Sequence, residues 1–315
     1  MNAFIRFGLG LAVLASAAAA HAQLNIQITK SADGALPIAV VPFAGGAPEN
    51  IAAIIATDLQ RSGRFKVPNA QSYPDRPSDL AQMNASTFRA LPVDYVTVGK
   101  VTPSGNGYTV QFQLGDAFQG KQTLGYTFNA GPNDLRRVAH KISDMIYQKL
   151  TGQLGAFDTR IAYVTASRGT YSMVVADADG YAPQTILRSN EPLMSPSWSS
   201  DGSRLAYVSF EGKRAQIVVQ DVYSGARQVV SAAPGINGAP SWSPDGNRLA
   251  VTLSKDGNPE IYVVSAAGGG LSRVTNSPAI DTEPVWSADG RFIYFTSDRG
   301  GGPQIYRTST SGGNA

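Results

Sequence analysis

The chain has 315 residues, enough for two domains of ordinary size, and its 43% hydrophobic and 16% charged residues exclude wholesale disorder. It has no cysteine, which excludes disulfides, thiolate nucleophiles and Cys-ligated zinc or iron–sulfur sites. A net charge of +3 is too mild and too evenly spread to indicate nucleic acid, and the 33 Gly and 19 Pro point to many turns.

Residues 1–22 carry one basic residue (Arg6), no acid, an apolar run from Phe7 to Ala20, and the small-residue site Ala20-His21-Ala22. This is the pattern of a secretory signal peptide, and its apolar core is shorter than the roughly 20 residues of a membrane span. Cleavage is expected after Ala22, leaving Gln23 as the mature N-terminus of an exported protein. One of the two histidines is removed with it, which leaves no basis for a multi-histidine metal site. Residues 23–35 read as an extended segment in which Gln23, Leu24, Asn25, Ile26, Gln27 and Ile28 alternate polar and apolar, with Thr29 closing the run and Ser31–Gly34 as a hinge.

Residues 36–153 alternate strand and helix patterns. Ile38–Phe43 is an apolar run closed by Gly45-Gly46, and Pro48-Glu49 is expected to open a helix with Ile51, Ile54, Ile55 and Leu59 on one stripe and Gly63 after its end. A loop rich in proline (Pro68, Pro74, Pro77) follows. Strands are predicted at Tyr95–Val101, Tyr108–Leu114 and Gln122–Phe128. Asn133 is expected to cap a second helix, with Leu135, Val138, Ile142, Met145 and Ile146 buried and Gly152 at its end. The expectation is an α/β domain with two main helices on one face of a sheet.

Residues 154–315 contain only strand and turn patterns, and they repeat. Pro196-Ser-Trp198-Ser-Ser-Asp201-Gly202 returns as Pro240-Ser-Trp242-Ser-Pro-Asp245-Gly246 and as Pro284-Val-Trp286-Ser-Ala-Asp289-Gly290, with the tryptophans 44 residues apart. Ile217, Ile261 and Ile305 keep the same interval. An all-strand period in the low forties marks the four-stranded blade of a β-propeller. Pro-x-Trp-Ser is expected to be the inner strand, its Trp wedged between blades, and the three Asp to make turns rather than chemistry. Stepping back 44 residues places Arg160-Ile161 under Arg204-Leu205 and the Trp position on Leu154, so the first blade is expected to begin at its second strand. About three and a half blades fit here, fewer than a closed ring needs, and the sequence is expected to be C-terminally truncated.

This order of elements resembles the TolB family of the Tol–Pal cell-envelope system. The most specific stretches are Pro37–Phe43, Leu150-Thr-Gly152 followed by Arg160–Val164, Asp179-Gly-Tyr181, Pro192–Pro196, Asn237-Gly-Ala-Pro240 and Thr282-Glu-Pro284. The resemblance implies a non-enzymatic, monomeric periplasmic scaffold with a six-bladed propeller when intact and no cofactor. It implies that the peptidoglycan-associated lipoprotein, Pal, docks on the channel rim through loops entering the inner strands: Met194 and Ser195; Asn237, Gly238 and Ala239; Asp281, Thr282 and Glu283. Where the family often has His before Asn-Gly-Ala-Pro, this chain has Ile236, so that contact differs here. It also implies that Gln23–Thr29 is a strand recognised by the inner-membrane protein TolA, for which an alternating free segment suits β-augmentation.

The principal alternative is the propeller of a prolyl-oligopeptidase-like serine peptidase, which needs a Gly-x-Ser-x-Gly elbow that the sequence lacks. Asp177-Ala-Asp179-Gly180 resembles the start of a calcium loop, but no position-12 Glu follows, and it is read as a hairpin. His140 is read as a surface or interface residue rather than a metal ligand, and no metal is expected.

Overall fold

The computed structural model describes residues 34–315; the expected signal peptide and the strand Gln23–Thr29 lie outside them. Among the described residues no helix is long and apolar enough to cross a membrane.

The N-terminal unit is built on a five-stranded sheet in the order β2-β1-β3-β4-β5. Its strands are β1 (Leu36–Val40), β2 (Phe65–Lys66), β3 (Tyr95–Ser104), β4 (Gly107–Asp116) and β5 (Gln122–Ala130). β1 runs parallel to β2 and β3, and β3-β4-β5 is an antiparallel meander. Helices α1 (Ile51–Arg61) and α3 (Leu135–Thr151) pack together on one face over Ile38, Val40, Phe112 and Leu114. The other face is covered as well. Segment 67–94, expected to be only a loop, includes the short helix α2 (Ala85–Arg89) and buries Tyr73, Leu80 and Phe88 against Ala39, Val41, Val96 and Val98. A strand covered on both faces has no solvent side to alternate with, which explains the unbroken apolar run at 38–41.

The helix boundaries differ from the expectation in two places. Asn50, not Pro48-Glu49, starts α1: its Oδ1 accepts the N–H of Ala53 at 3.1 Å. Asn133 does not cap α3. The residue before the helix is Asp134, whose carboxylate turns back to accept the N–H of Gly131 at 3.2 Å. Gly152 ends α3 in the left-handed conformation, φ 73°, as its residue type favours.

From Arg160 onward the chain forms four antiparallel sheets. The first is β6 (Arg160–Ser167), β7 (Thr170–Asp177) and β8 (Gln184–Ser189). The second is β9 (Leu193–Trp198), β10 (Arg204–Ser209), β11 (Gln216–Asp221) and β12 (Arg227–Ser231). The third is β13 (Asn237–Trp242), β14 (Arg248–Leu253), β15 (Glu260–Ser265) and β16 (Ser272–Arg273), and the fourth is β17 (Asp281–Trp286), β18 (Phe292–Ser297) and β19 (Gln304–Ser309). The first sheet begins at its second strand, as the register argument required.

The repeated Ser-x-Asp-Gly has a mechanical explanation. Ser199 Oγ donates to Asp201 Oδ1 at 2.5 Å and accepts the N–H of Arg204, while Asp201 Oδ1 also accepts the N–H of Ser203. The same closed set recurs at Ser243/Asp245 and Ser287/Asp289. Each tryptophan joins two blades. Trp242 Nε1 donates to Ser197 O at 3.0 Å and Trp286 Nε1 to Ser241 O at 3.1 Å, each in the preceding sheet. The guanidinium of Arg204 lies 4.7 Å from the Trp242 ring centre, and that of Arg248 lies 4.9 Å from Trp286. Trp198 has Arg160 over its ring at 4.9 Å, but its buried indole N–H has no acceptor, because the first sheet has no strand at the corresponding place.

Candidate functional site: the inner-strand rim and the helix–propeller seam

The rim residues lie on strands rather than in loops. Met194 and Ser195 belong to β9, Asn237, Gly238 and Ala239 to β13, and Asp281, Thr282 and Glu283 to β17. The strands extend beyond Pro-x-Trp because each continues past a β-bulge. Pairing shifts register between Ala206 and Val208 opposite β9, between Gly238 and Ser241, and between Thr282 and Val285. At each bulge one non-glycine residue takes a left-handed backbone: Ser195 at φ 51°, Ala239 at 47° and Glu283 at 53°. These are 44 residues apart, so one strained turn is repeated in three successive blades.

Burial divides the expected site residues into two groups. Asn237 is only 2% exposed: its Nδ2 donates to Ala233 O at 2.7 Å, and its Oδ1 accepts from Ser231 Oγ and the N–H of Ala233. Asp281, 0% exposed, accepts from Arg299 Nη2 at 2.7 Å. Their side chains fix the corners of the blades and do not face an incoming molecule. The exposed apolar surface comes instead from Met194, 52% exposed, and Ile236, 51% exposed. With Val208, Phe210, Ala215 and Gly238 they line an open groove of about 470 Å³ between the second and third sheets. Asp281–Glu283 lie outside this groove, on the adjacent inner strand. Ile280, also half-exposed, occupies the fourth sheet's equivalent of Ile236 and was missed. Its signal was present in the sequence: it lies 44 residues after Ile236.

A second site forms where α3 meets the first propeller sheet. Asp144 on α3 accepts the N–H groups of Phe157 at 2.8 Å and Asp158 at 3.0 Å, tying the chain that leaves the helix back onto it. Two turns earlier, Arg136 and Arg137 pair with Asp179 and Asp158. Of the two places expected for His140, surface or interface, it takes the interface. It is 3% exposed, with Nδ1 2.7 Å from Oδ2 of Asp58 on α1, itself 1% exposed. Burial by itself depresses the imidazole pKa, but the hydrogen bond and charge of Asp58 outweigh it and leave the pKa raised. The β7–β8 turn brings Asp177 and Asp179 to the same place. An adjoining cleft of about 720 Å³ is lined by His140, Asp158, Arg160, Asp177 and Trp198 among others.

Together, the sheet-and-helix unit, the wedge-linked antiparallel blades and the apolar rim groove define a β-propeller protein carrying an α/β domain. The family model described as the TolB amino-terminal domain matches residues 24–123, and that described as the TolB beta propeller domain matches residues 147–315. The chain belongs to the TolB family. It is 50% identical over 191 residues to the Tol-Pal system protein TolB of Methylobacillus flagellatus, a match covering 59% of this chain and 44% of that relative. It is 49% identical over 197 residues to the protein of the same name from Methylococcus capsulatus, covering 61% and 46%. The crystal structure of TolB from Acinetobacter baumannii superposes with a TM-score of 0.81 at 40% identity, covering 89% of this chain and 70% of that one. The chain thus spans about half the length of the curated relatives it matches.

Proposed function

We propose that this chain acts as a non-enzymatic periplasmic scaffold of the Tol–Pal system, docking the peptidoglycan-associated lipoprotein on its propeller rim and offering TolA the segment Gln23–Thr29. In this role it supports outer-membrane integrity during cell division. The observation that carries the reading is the rim groove between Met194 and Ile236, where exposed apolar side chains stand on a framework held in place by the buried hydrogen bonds of Asn237. Rigid, partly apolar grooves of this kind take an anchoring side chain of a partner protein. Ser195, Gly238, Ala239, Thr282 and Glu283 then supply the surrounding contacts. Neighbouring blades act together, so a partner is held at several points.

The test is binding of purified Pal, followed by calorimetry. Met194→Ser and Ile236→Asp are expected to weaken binding at least tenfold with unchanged melting temperature, while Leu271→Ser, an exposed residue on another part of the propeller, leaves it unchanged. Equal affinity for all three variants overturns the docking site. Deleting Gln23–Thr29 is expected to abolish TolA binding and leave Pal binding intact or stronger; loss of both counts against a separate TolA segment.

A further inference from the structure

We propose that His140, Asp177 and Asp179 form a binding site for a divalent transition-metal cation of the zinc type, which clamps helix α3 to the first propeller sheet. It is the only grouping of three such side chains with mutually close ligand atoms among the described residues, those atoms lying within 4.8 Å of one another. The carboxylates come from one hairpin turn and the imidazole from α3, so a shared ion bridges the two parts of the molecule.

Three observations make this more than a cluster of acids. First, the His140 side chain is 3% exposed, yet its Nε2 has no hydrogen-bond partner, and it points at Asp179 Oδ2, 3.7 Å away. A buried ring nitrogen without a partner is a costly arrangement unless something fills the gap. A cation about 2.1 Å from both Nε2 and Asp179 Oδ2 would hold that pair roughly 3.4 Å apart at the tetrahedral angle, near the 3.7 Å found. Second, the other ring nitrogen is 2.7 Å from the buried Asp58 carboxylate. That contact orients the ring with Nδ1 donating and Nε2 free to ligate, as the partners of metal-binding histidines do. Third, the adjoining cleft, lined by His140 and Asp177, gives an entry path and room for a water in the fourth position.

One nitrogen and two carboxylate oxygens suit zinc and its neighbours, whereas calcium and magnesium prefer oxygen alone. Arg136 competes, because its guanidinium pairs with the same Asp179 Oδ2. It also lies 3.9 Å over the Tyr181 ring, which can retain it when the ion takes that oxygen. The ion therefore replaces one interdomain tie with a stronger one that spans the same seam.

The test is titration of the metal-stripped protein with Zn²⁺ alone, by calorimetry, with thermal unfolding as a second readout. One ion per chain is expected, with a raised melting temperature. Asp177→Asn, whose carboxylate is only partly buried, is expected to weaken binding about tenfold or more and to cancel the thermal gain. Asp58→Asn is expected to weaken it by about 10–100-fold through loss of the ring's orientation. His140→Gln should behave like Asp177→Asn; should it fail to fold, the Asp177 variant decides alone. Absence of stoichiometric Zn²⁺ binding, or unchanged affinity in Asp177→Asn, overturns the proposal.

Discussion

Ser195, Ala239 and Glu283 hold a left-handed backbone that L-residues adopt at a penalty of order 1–3 kcal/mol. Removing Cβ at such a position relieves the strain, and the added freedom of glycine offsets part of the gain. Ala239→Gly is expected to raise stability by about 1 kcal/mol and Ala239→Val to lower it by about 1–2 kcal/mol, read as shifts of the urea midpoint. The turn aspartates make a pH prediction. Hydrogen bonds from Ser199 Oγ, and from the backbone N–H and hydroxyl of Ser203, bring the Asp201 pKa down to about 2. Because the folded pKa lies below the unfolded value of about 3.9, this contribution is complete above that value and is lost as pH falls from about 4 to 2. Asp201→Asn should therefore flatten the stability profile in that window and lower stability at neutral pH. Turns of this type were readable in the sequence because Ser-x-Asp-Gly carries its own hydrogen-bond logic. The bulges were not, because Ser, Ala and Glu share no feature that announces a positive φ.

At the scale of elements, the Trp-bearing inner strands hold neighbouring blades together. Trp242 is nearly buried, so Trp242→Ala should cost about 3–5 kcal/mol. Trp242→Phe keeps most of the packing and removes the bond to Ser197 O, at about 1 kcal/mol. Trp198→Phe is the informative contrast: its N–H has no acceptor, so the change should be close to neutral, and a penalty equal to that at Trp242 would contradict the account. Chemical denaturation of the three variants measures this directly. Helices α1 and α3 and most strands were legible because their apolar residues recur at periods of 3.6 or 2. Segment 67–94 was not, because Tyr73, Leu80 and Phe88 are single anchors spaced 7 and 8 residues apart with no periodic stripe between them.

Across the whole molecule, the relation between α3 and the propeller depends on close approach at Gly155. A Cβ there would sit 2.2 Å from Asp144 Oδ1 and 2.7 Å from Asp144 Cα, closer than atoms can come. Gly155→Ala is expected to force Asp144 off the N–H groups of Phe157 and Asp158, and limited proteolysis should show faster cleavage between Gly152 and Asp158. Unchanged cleavage would mean that this contact does not fix the seam. The two-part organisation was legible from the change of pattern near residue 154. The seam was not, since Asp58, His140 and Asp179 are far apart in sequence and only folding brings them together.

Each Arg–Trp contact reaches from one module only to the next: Arg204 to Trp242, then Arg248 to Trp286. A 44-residue stretch therefore carries both halves of the joint, receiving its predecessor with the indole and gripping its successor with the guanidinium. An in-frame gene duplication of one period would insert a unit already matched to both neighbours. Such a unit would bring both halves of the Arg–Trp joint with it, leaving only the angle between neighbouring blades to be adjusted.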